Sequence, residues 1–203
     1  MSNRDHLNDN QGQGGTKGRF ATGDNKPGGR HVEEDGSEGV DHLKGTNDAD
    51  VMDGLGGDDV IVGRGGDDML TGGEGNDTFS HSGIGAGTEE DPGDGLDTII
   101  DFEAATEVEG EEGPEWEVAD RVEIDADSFD FSAVNGDGVV DAAELLAYVQ
   151  VTDGVIEVDL DGAGAGSEFE AIVDTSLGAA DDGVAVEIDG TTFVWSADAW
   201  VEV

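Results

Sequence analysis

The sequence has no cysteine, few basic residues and few aromatic ones. Its 203 residues include 8 Lys and Arg against 51 Asp and Glu, a formal net charge of −43, and 5% are aromatic. Without cysteine, no disulfide adds stability. The negative field excludes nucleic acid and anionic membranes as partners, and it favours multivalent cations or a high-salt setting. With so few aromatic side chains to bury, we expect poor stability without a ligand.

Long apolar runs are also missing. The segment from Met1 to Asn8 has no hydrophobic stretch, so we predict no cleaved signal peptide. No run approaches the length of a transmembrane helix. Residues 1–40 are polar and Gly-rich and carry five of the eight basic residues. We therefore predict a disordered segment over residues 1–40.

Glycine and aspartate recur with a period of nine between residues 45 and 80. Each nine opens with Gly, has Asp in sixth place and has a large apolar residue in eighth place. The Gly-rich half allows tight bends, and the other half favours a short strand whose eighth side chain faces inward. The nines start at Gly45, Gly54, Gly63 and Gly72, with the pairs Asp50 and Met52, Asp59 and Ile61, Asp68 and Leu70, Asp77 and Phe79.

Two nines make one coil, so bends on the same edge recur every two nines and stack at roughly 4.8 Å. This places Asp50 above Asp68 on one edge and Asp59 above Asp77 on the other. The gap between stacked bends holds two carboxylates and several backbone carbonyls, which are the hard oxygen ligands that Ca²⁺ prefers. Without the ion these carboxylates repel each other, and we expect the segment to fold only when loaded.

The four nines resemble the RTX, or haemolysin-type, calcium-binding repeats, which form a parallel β-roll. The resemblance implies Ca²⁺ ligation by Asp50, Asp59, Asp68 and Asp77. Thr46 and Leu55 replace the usual second glycine and Asp48 the fourth, so the first turn is expected to bind weakly or to serve as a cap. A flexible Gly/Asp-rich linker is the alternative interpretation. The resemblance implies further ligands in the backbone carbonyls of Gly54, Gly56, Gly63, Gly65 and Gly72.

After Ser80 the period of nine is lost and then returns once. The segment Gly93–Phe102 contains Gly-x-Gly-x-Asp followed by Ile99, and it resembles the segment that closes the roll in RTX proteins. We expect Asp97 to lie near a last, partial site. An ordinary edge strand is the alternative.

A second calcium site is suggested by residues 133–144, which resemble an EF-hand loop. Asn135, Asp137, Asp141 and Glu144 occupy ligand places, whereas Ala133 stands where the first Asp belongs. A helix over residues 141–151 is predicted to follow. The alternative is a tight turn with Asp141 as the N-cap of that helix.

The predicted fold is mainly β. A β-roll with its cap spans residues 41–102, an acidic loop spans 103–119, and a β-rich C-terminal domain with one helix spans 120–203. Within that domain we predict strands over residues 154–161 and 169–173 and a hairpin over 184–195. The end, Trp200–Val203, resembles a type I secretion signal, and the alternative is a last strand that frays.

The function predicted from these features is a secreted, non-enzymatic RTX protein that folds on Ca²⁺ outside the cell. The family resemblance implies export by the type I secretion machinery, and an extracellular-matrix or cell-surface partner is left open. One alternative is a C-terminal module or small relative of a secreted RTX hydrolase, although the chain has no His-Glu-x-x-His and no Gly-x-Ser-x-Gly. Another is an acidic halophile protein with vestigial repeats.

Overall fold

The computed structural model describes residues 19–20, 33–81, 95–110, 114–124, 141–146, 148–158, 170–178, 182–197 and 199–203. These residues form short β-strands, numbered here along the chain, in two large sheets and one two-stranded pair. Their hydrophobic side chains form one main core that draws on both large sheets. The described part contains one helix, α1 (Ala142–Leu145).

The first sheet has eight strands. In spatial order they are β1 (Arg19–Phe20), β3 (Asp41–Lys44), β5 (Val60–Val62), β7 (Thr78–His81), β11 (Arg121–Ile124), β15 (Ala185–Ile188), β16 (Thr191–Ser196) and β17 (Ala199–Glu202). The first six are parallel, and the last two continue the sheet by antiparallel pairing.

The second sheet has seven strands. In spatial order they are β12 (Val149–Thr152), β13 (Val155–Val158), β14 (Glu170–Asp174), β8 (Asp97–Ile99), β6 (Met69–Thr71), β4 (Val51–Leu55) and β2 (Glu33–Ser37). The strands from β14 to β2 are parallel, and β13 and β12 are antiparallel additions.

From β2 to β7, successive strands alternate between the two sheets, as the period of nine predicts. Each strand pairs with the strand two nines away, for example Met52 with Leu70 and Ile61 with Phe79. The prediction of a mainly β, parallel β-roll is therefore confirmed.

The eighth-place side chains stack into the core of the roll. Leu43, Met52, Ile61, Leu70 and Phe79 are all at most 3% exposed. Phe102 packs next to Phe79 in this stack, with its ring centroid 6.4 Å from that of Phe79. Each coil thus buries one apolar residue per strand, which is a thin core for so acidic a chain.

The thin core predicts a large effect for one truncation. Ile61→Ala should lower the free energy of unfolding by about 2–5 kcal/mol, because the fully buried side chain leaves a cavity between its two stacked neighbours. Val62→Ala is the matched control on the same strand, since Val62 faces outward and is only partly buried. Its expected cost is below about 1 kcal/mol. Urea unfolding in saturating calcium measures both, and equal losses would contradict the stacking.

The roll begins earlier than predicted. The predicted disorder over residues 1–40 is wrong for residues 19–20 and 33–40. Strand β1 pairs in parallel with β3, and Glu33–Ser37 forms β2, which pairs in parallel with β4. The reason is a further nine, Gly36–Lys44, with Asp41 in sixth place and Leu43 in eighth. Its local sequence is polar, and its order comes from pairing with the next coil.

The C-terminal strands are not a separate domain. Strand β11 lies between β7 and β15, and β14 lies beside β8, so residues after 120 extend the sheets of the roll. The predicted hairpin is present as β15 and β16. Its turn residues Asp189 and Gly190 have φ of 52° and 78°, the left-handed values that a tight two-residue turn requires.

Two other predictions need correction. The acidic segment 103–119 is not only a loop, because β9 (Thr106–Glu109) and β10 (Pro114–Glu117) pair there antiparallel. The helix predicted over residues 141–151 ends at Leu145. Val149 and Val151 instead lie buried in β12, where β-branched side chains pack well against β13. No helix in the described part is long and apolar enough to span a membrane.

Candidate calcium site

Buried aspartates form a ladder along each edge of the roll. The backbone N–H of each sixth-place Asp donates to Oδ1 of the Asp one coil later. On one edge these bonds run from Asp41 to Asp59 (2.7 Å), from Asp59 to Asp77 (2.8 Å) and from Asp77 to Asp120 (2.9 Å). On the other edge they run from Asp50 to Asp68 (2.8 Å) and from Asp68 to Asp97 (3.1 Å).

Two ladder members, Asp41 and Asp120, were missed by the sequence analysis. Asp120 lies 43 residues after Asp77, so no fixed period connects them. A local signal was present, because Asp120 and Val122 have the same spacing as the sixth-place Asp and the eighth-place apolar residue of a nine. Val122 is fully buried and pairs with Phe79, as an eighth-place residue should.

The second carboxylate oxygen differs among the aspartates. Asp41 Oδ2 accepts from the backbone N–H (2.6 Å) and the hydroxyl (2.7 Å) of Ser37. Asp50 Oδ2 accepts from the backbone N–H (2.5 Å) and the hydroxyl (3.0 Å) of Thr46. Asp59 Oδ2, in contrast, is buried and accepts no hydrogen bond in the described part of the chain. A buried carboxylate oxygen in this state is unfavourable unless a cation binds it.

The first-place glycines leave room beside these carboxylates. A Cβ on Gly54 would lie 2.5 Å from the carbonyl oxygen of Gly72, one coil later, and would collide with the Asp59 carboxylate. A Cβ on Gly63 would likewise meet Asp68, and one on Gly72 would meet Asp77. Carboxylate and carbonyl oxygens therefore converge in a space that only glycine keeps open. Such an all-oxygen donor set fits Ca²⁺, and additional backbone carbonyls would complete its shell.

The second place of each nine separates two kinds of bend. Leu55, Arg64 and Gly73 have φ of 73°, 80° and 101°, in the left-handed region, which is unfavourable for Leu and Arg. Ser37 and Thr46, also in second place, do not have a left-handed φ. Their hydroxyl groups donate hydrogen bonds to the ladder aspartates instead. Leu55 thus takes the conformation of the glycine it replaces and Thr46 does not. The expectation that the first turn binds weakly or acts as a cap stays a prediction.

The third-place glycines join neighbouring coils. Gly56 N–H donates to Ser37 O (3.3 Å), and Gly65 N–H donates to Thr46 O (3.1 Å). Both residues lie in bends on the predicted edges, and their assignment as carbonyl ligands stays a prediction.

The ladder carboxylates are held in an unfavourable electrostatic environment. Burial, assisted by the charges of Asp77, Asp41 and Asp58, raises the pKa of Asp59 to about 6, although the N–H of Asp41 opposes the shift. Burial likewise raises the pKa of Asp120 to about 6 against the N–H groups of Glu103 and Asp77. Burial also raises the pKa of Asp77. A divalent cation would relieve this repulsion directly.

Asp97 lies at the end of its ladder, close to where a last, partial site was expected. Its Oδ1 accepts from Asp68 N–H, and its Oδ2 lies 3.3 Å from Nδ1 of the buried His81. The His81 imidazole therefore lies next to the oxygen that an ion at this site would need. Whether Asp97 ligates an ion stays a prediction.

The EF-hand-like loop falls mainly outside the described residues, including Asn135 and Asp137. Asp141 is exposed and directly precedes α1, and Glu144 lies within α1. Ion binding by this loop therefore stays a prediction.

The space beside Gly54 predicts the effect of one added methyl group. Gly54→Ala should weaken calcium binding at least tenfold and lower stability in calcium, because the Cβ takes the space between the Asp59 carboxylate and the Gly72 carbonyl. Gly39→Ala is the control, since its Cβ would meet nothing within 4 Å. Calcium titration followed by calorimetry compares the two. Unchanged affinity in Gly54→Ala would show that the ion binds elsewhere.

No group of three or more His, Asp or Glu side chains with metal-binding geometry occurs in the described part of the chain. The glycine-lined bends instead combine carboxylate with backbone oxygens. Comparison with protein-family models matches the RTX calcium-binding nonapeptide repeat at residues 35–70 and 44–79. Comparison with curated proteins gives no match. The matched segment runs through the bends and strands from β2 to β7, where the glycine-lined spaces lie. The chain therefore carries calcium-binding nonapeptide repeats of the RTX, or haemolysin-type, family over residues 35–79.

Proposed function

We propose that this protein is a secreted, non-enzymatic calcium-binding protein whose roll folds only after it meets extracellular calcium. The observation that carries the proposal is the buried Asp59 Oδ2, which faces the Gly54 bend and the Gly72 carbonyl without a hydrogen-bond donor. Several such carboxylates in one thin roll favour an unfolded chain where calcium is scarce. Ion binding and folding are then one linked equilibrium.

Calcium supply differs across the cell envelope, which explains the link to export. Free calcium is scarce inside cells and millimolar outside them. A chain that cannot fold inside is a suitable cargo for type I secretion, which the RTX resemblance implies. The large negative charge supports this proposal, because repulsion opposes compaction until cations bind.

The non-enzymatic part of the proposal is supported by how the roll uses its acids. The ladder carboxylates accept backbone N–H groups and lie buried at the coil edges, and the buried His81 contacts one of them. These groups therefore hold neighbouring coils together, a structural role that supports the non-enzymatic proposal. A calcium-dependent hydrolase activity of the purified chain would contradict this part.

The calcium-binding part is tested by calorimetric titration combined with circular dichroism. The wild type should bind calcium and gain β signal over the same concentration range. Asp59→Asn should bind at least one ion fewer. Asp35→Asn is the matched control. It removes the same charge, but from an exposed carboxylate on β2 that lies away from the bends. Binding without any gain of structure would overturn calcium-driven folding, and no binding would overturn the proposal.

Export is tested separately in a Gram-negative host with and without a type I exporter. The full chain should accumulate in the medium only when the exporter is present. Removal of the last residues, including β17, should retain the chain in the cell if they carry the signal. Equal appearance in the medium without the exporter would contradict this route.

A further inference from the structure

Each aspartate ladder has two ends, and at every end a group of the protein itself contacts the second carboxylate oxygen. The four pairs of ladder end and contacting group are Asp41 with Ser37, Asp50 with Thr46, Asp97 with His81 and Asp120 with the N–H of Glu103. Asp59, in the interior of its ladder, has no such partner for Oδ2 among the described residues. The contrast is sharpest in the first coil, where both bends are regular nines.

The first coil offers the same oxygen atoms as the interior bends. A Cβ on Gly45 would lie 2.5 Å from the carbonyl oxygen of Gly63 and 2.6 Å from Asp50 Oδ2. The Asp59 carboxylate and the Gly72 carbonyl surround Gly54 in the same way. The oxygen set of the Gly45 bend is therefore not what distinguishes it from a bend that binds calcium.

The difference lies in the residue at second place. The backbone N–H and the hydroxyl of Thr46 both donate to Asp50 Oδ2, at 2.5 and 3.0 Å, and Thr46 has no left-handed φ. Leu55 occupies the same place beside Asp59, with φ of 73°, and its N–H donates instead to Asp53 Oδ1 (3.0 Å). The left-handed bend therefore leaves the Asp59 oxygen without a donor, whereas the Thr46 bend supplies two.

Arg64 brings a positive charge to the Gly45 bend from the next coil. Its Nη1 donates to Gly45 O (3.3 Å), the carbonyl that corresponds to Gly63 O and Gly72 O in the later bends. Lysine and arginine are scarce in this part of the chain, since residues 41–203 contain just Lys44, Arg64 and Arg121. Neutral donors on the carboxylate and a guanidinium on the carbonyl thus take contacts that an ion would otherwise make.

We propose that Thr46, and Ser37 at the same place of the preceding nine, close the two bends of the first coil to calcium. The inference rests on the proposed calcium binding of the interior bends. Ser37 binds Asp41 Oδ2 as Thr46 binds Asp50 Oδ2, with its N–H at 2.6 Å and its hydroxyl at 2.7 Å. A carboxylate oxygen that accepts two donors is already satisfied, so it has little to gain from a cation. The first coil is an ion-free end on which the calcium-binding coils stack.

The test counts the ions bound per full-length chain by calorimetry and equilibrium dialysis with calcium alone. Asp50→Asn should keep the wild-type count, whereas Asp59→Asn should lose at least one ion. Thr46→Gly should gain one ion, because glycine takes the left-handed φ readily and both donors leave Asp50 Oδ2. Thr46→Gly combined with Asp50→Asn should return to the wild-type count. Thr152→Gly, the same substitution at an exposed place on β12, is the matched control and should keep that count.

The outcomes separate this inference from the proposed function. A wild type that binds no calcium overturns both. If Asp50→Asn loses an ion as Asp59→Asn does, only the closure of the first coil is overturned. A Thr46→Gly chain that folds in calcium and keeps the wild-type count also overturns it. If circular dichroism shows that Thr46→Gly does not fold in excess calcium, the Asp50→Asn count decides alone, and an unchanged count supports the closure.

Discussion

Chelation of calcium at low ionic strength is expected to abolish most of the β-sheet signal of the roll. Each of the repeat strands β3 to β7 contributes one buried apolar residue to the core, and the bends between them carry stacked buried carboxylates. Each calcium site at a free concentration of 100 Kd contributes about 2.7 kcal/mol to the free energy of unfolding. Two or three such sites match the whole stability of an ordinary domain, about 5–15 kcal/mol. Losing them should therefore unfold the chain.

Circular dichroism during EDTA dialysis and calcium return measures this effect. Magnesium is the ion control, because it demands near-octahedral geometry and gives up its waters reluctantly, so millimolar magnesium should restore little structure. Molar KCl with EDTA is the charge control, since it shortens the Debye length to about 3 Å. Full structure in KCl without calcium would favour the halophile alternative. Unchanged structure in EDTA and dilute buffer would contradict ion-driven folding altogether.

The stability of the metal-free protein is expected to rise on acidification, and that of the calcium-loaded protein to fall. Burial holds the pKa of Asp59 and Asp120 at about 6, above the ordinary 3.8. A raised folded-state pKa means that the folded chain binds protons more tightly than the unfolded chain. Its stabilising contribution is complete below pH 3.8 and is lost as the pH rises through about 6.

Calcium reverses this dependence, because protons and the ion compete for the same carboxylates. In saturating calcium the melting temperature should fall between pH 7 and pH 5, whereas in EDTA any remaining structure should melt at higher temperature over that range. Asp59→Asn should flatten the dependence in EDTA, and the exposed Asp35→Asn should leave it unchanged. If the melting temperature changed with pH in the same way with and without calcium, the ladder carboxylates could not be the groups that bind both protons and calcium.

Much of the regular roll could be predicted from local pattern. A nine with Gly in first place, Asp in sixth and an apolar residue in eighth specifies a bend and a strand, and two nines specify a coil. Asp59 over Asp77 and Ile61 over Phe79 follow from that period alone. The calcium chemistry follows too, because stacked bends must place oxygen atoms on each edge.

The tertiary structure decided where the roll ends and which oxygens are already bound. Asp120 joins the ladder across a hairpin insertion. Its separation from Asp77 in the sequence does not follow the period of nine, so the sequence pattern could not predict it. Asp41 joins at the other end, and Ser37 and Thr46 satisfy the first carboxylate of each ladder while Asp59 keeps an oxygen without a donor. Local sequence sets the repeating unit because bend and strand depend on neighbouring residues. Strand pairing over long separations sets its extent and its ligands, because hydrogen bonds between coils depend on what the chain brings back beside them.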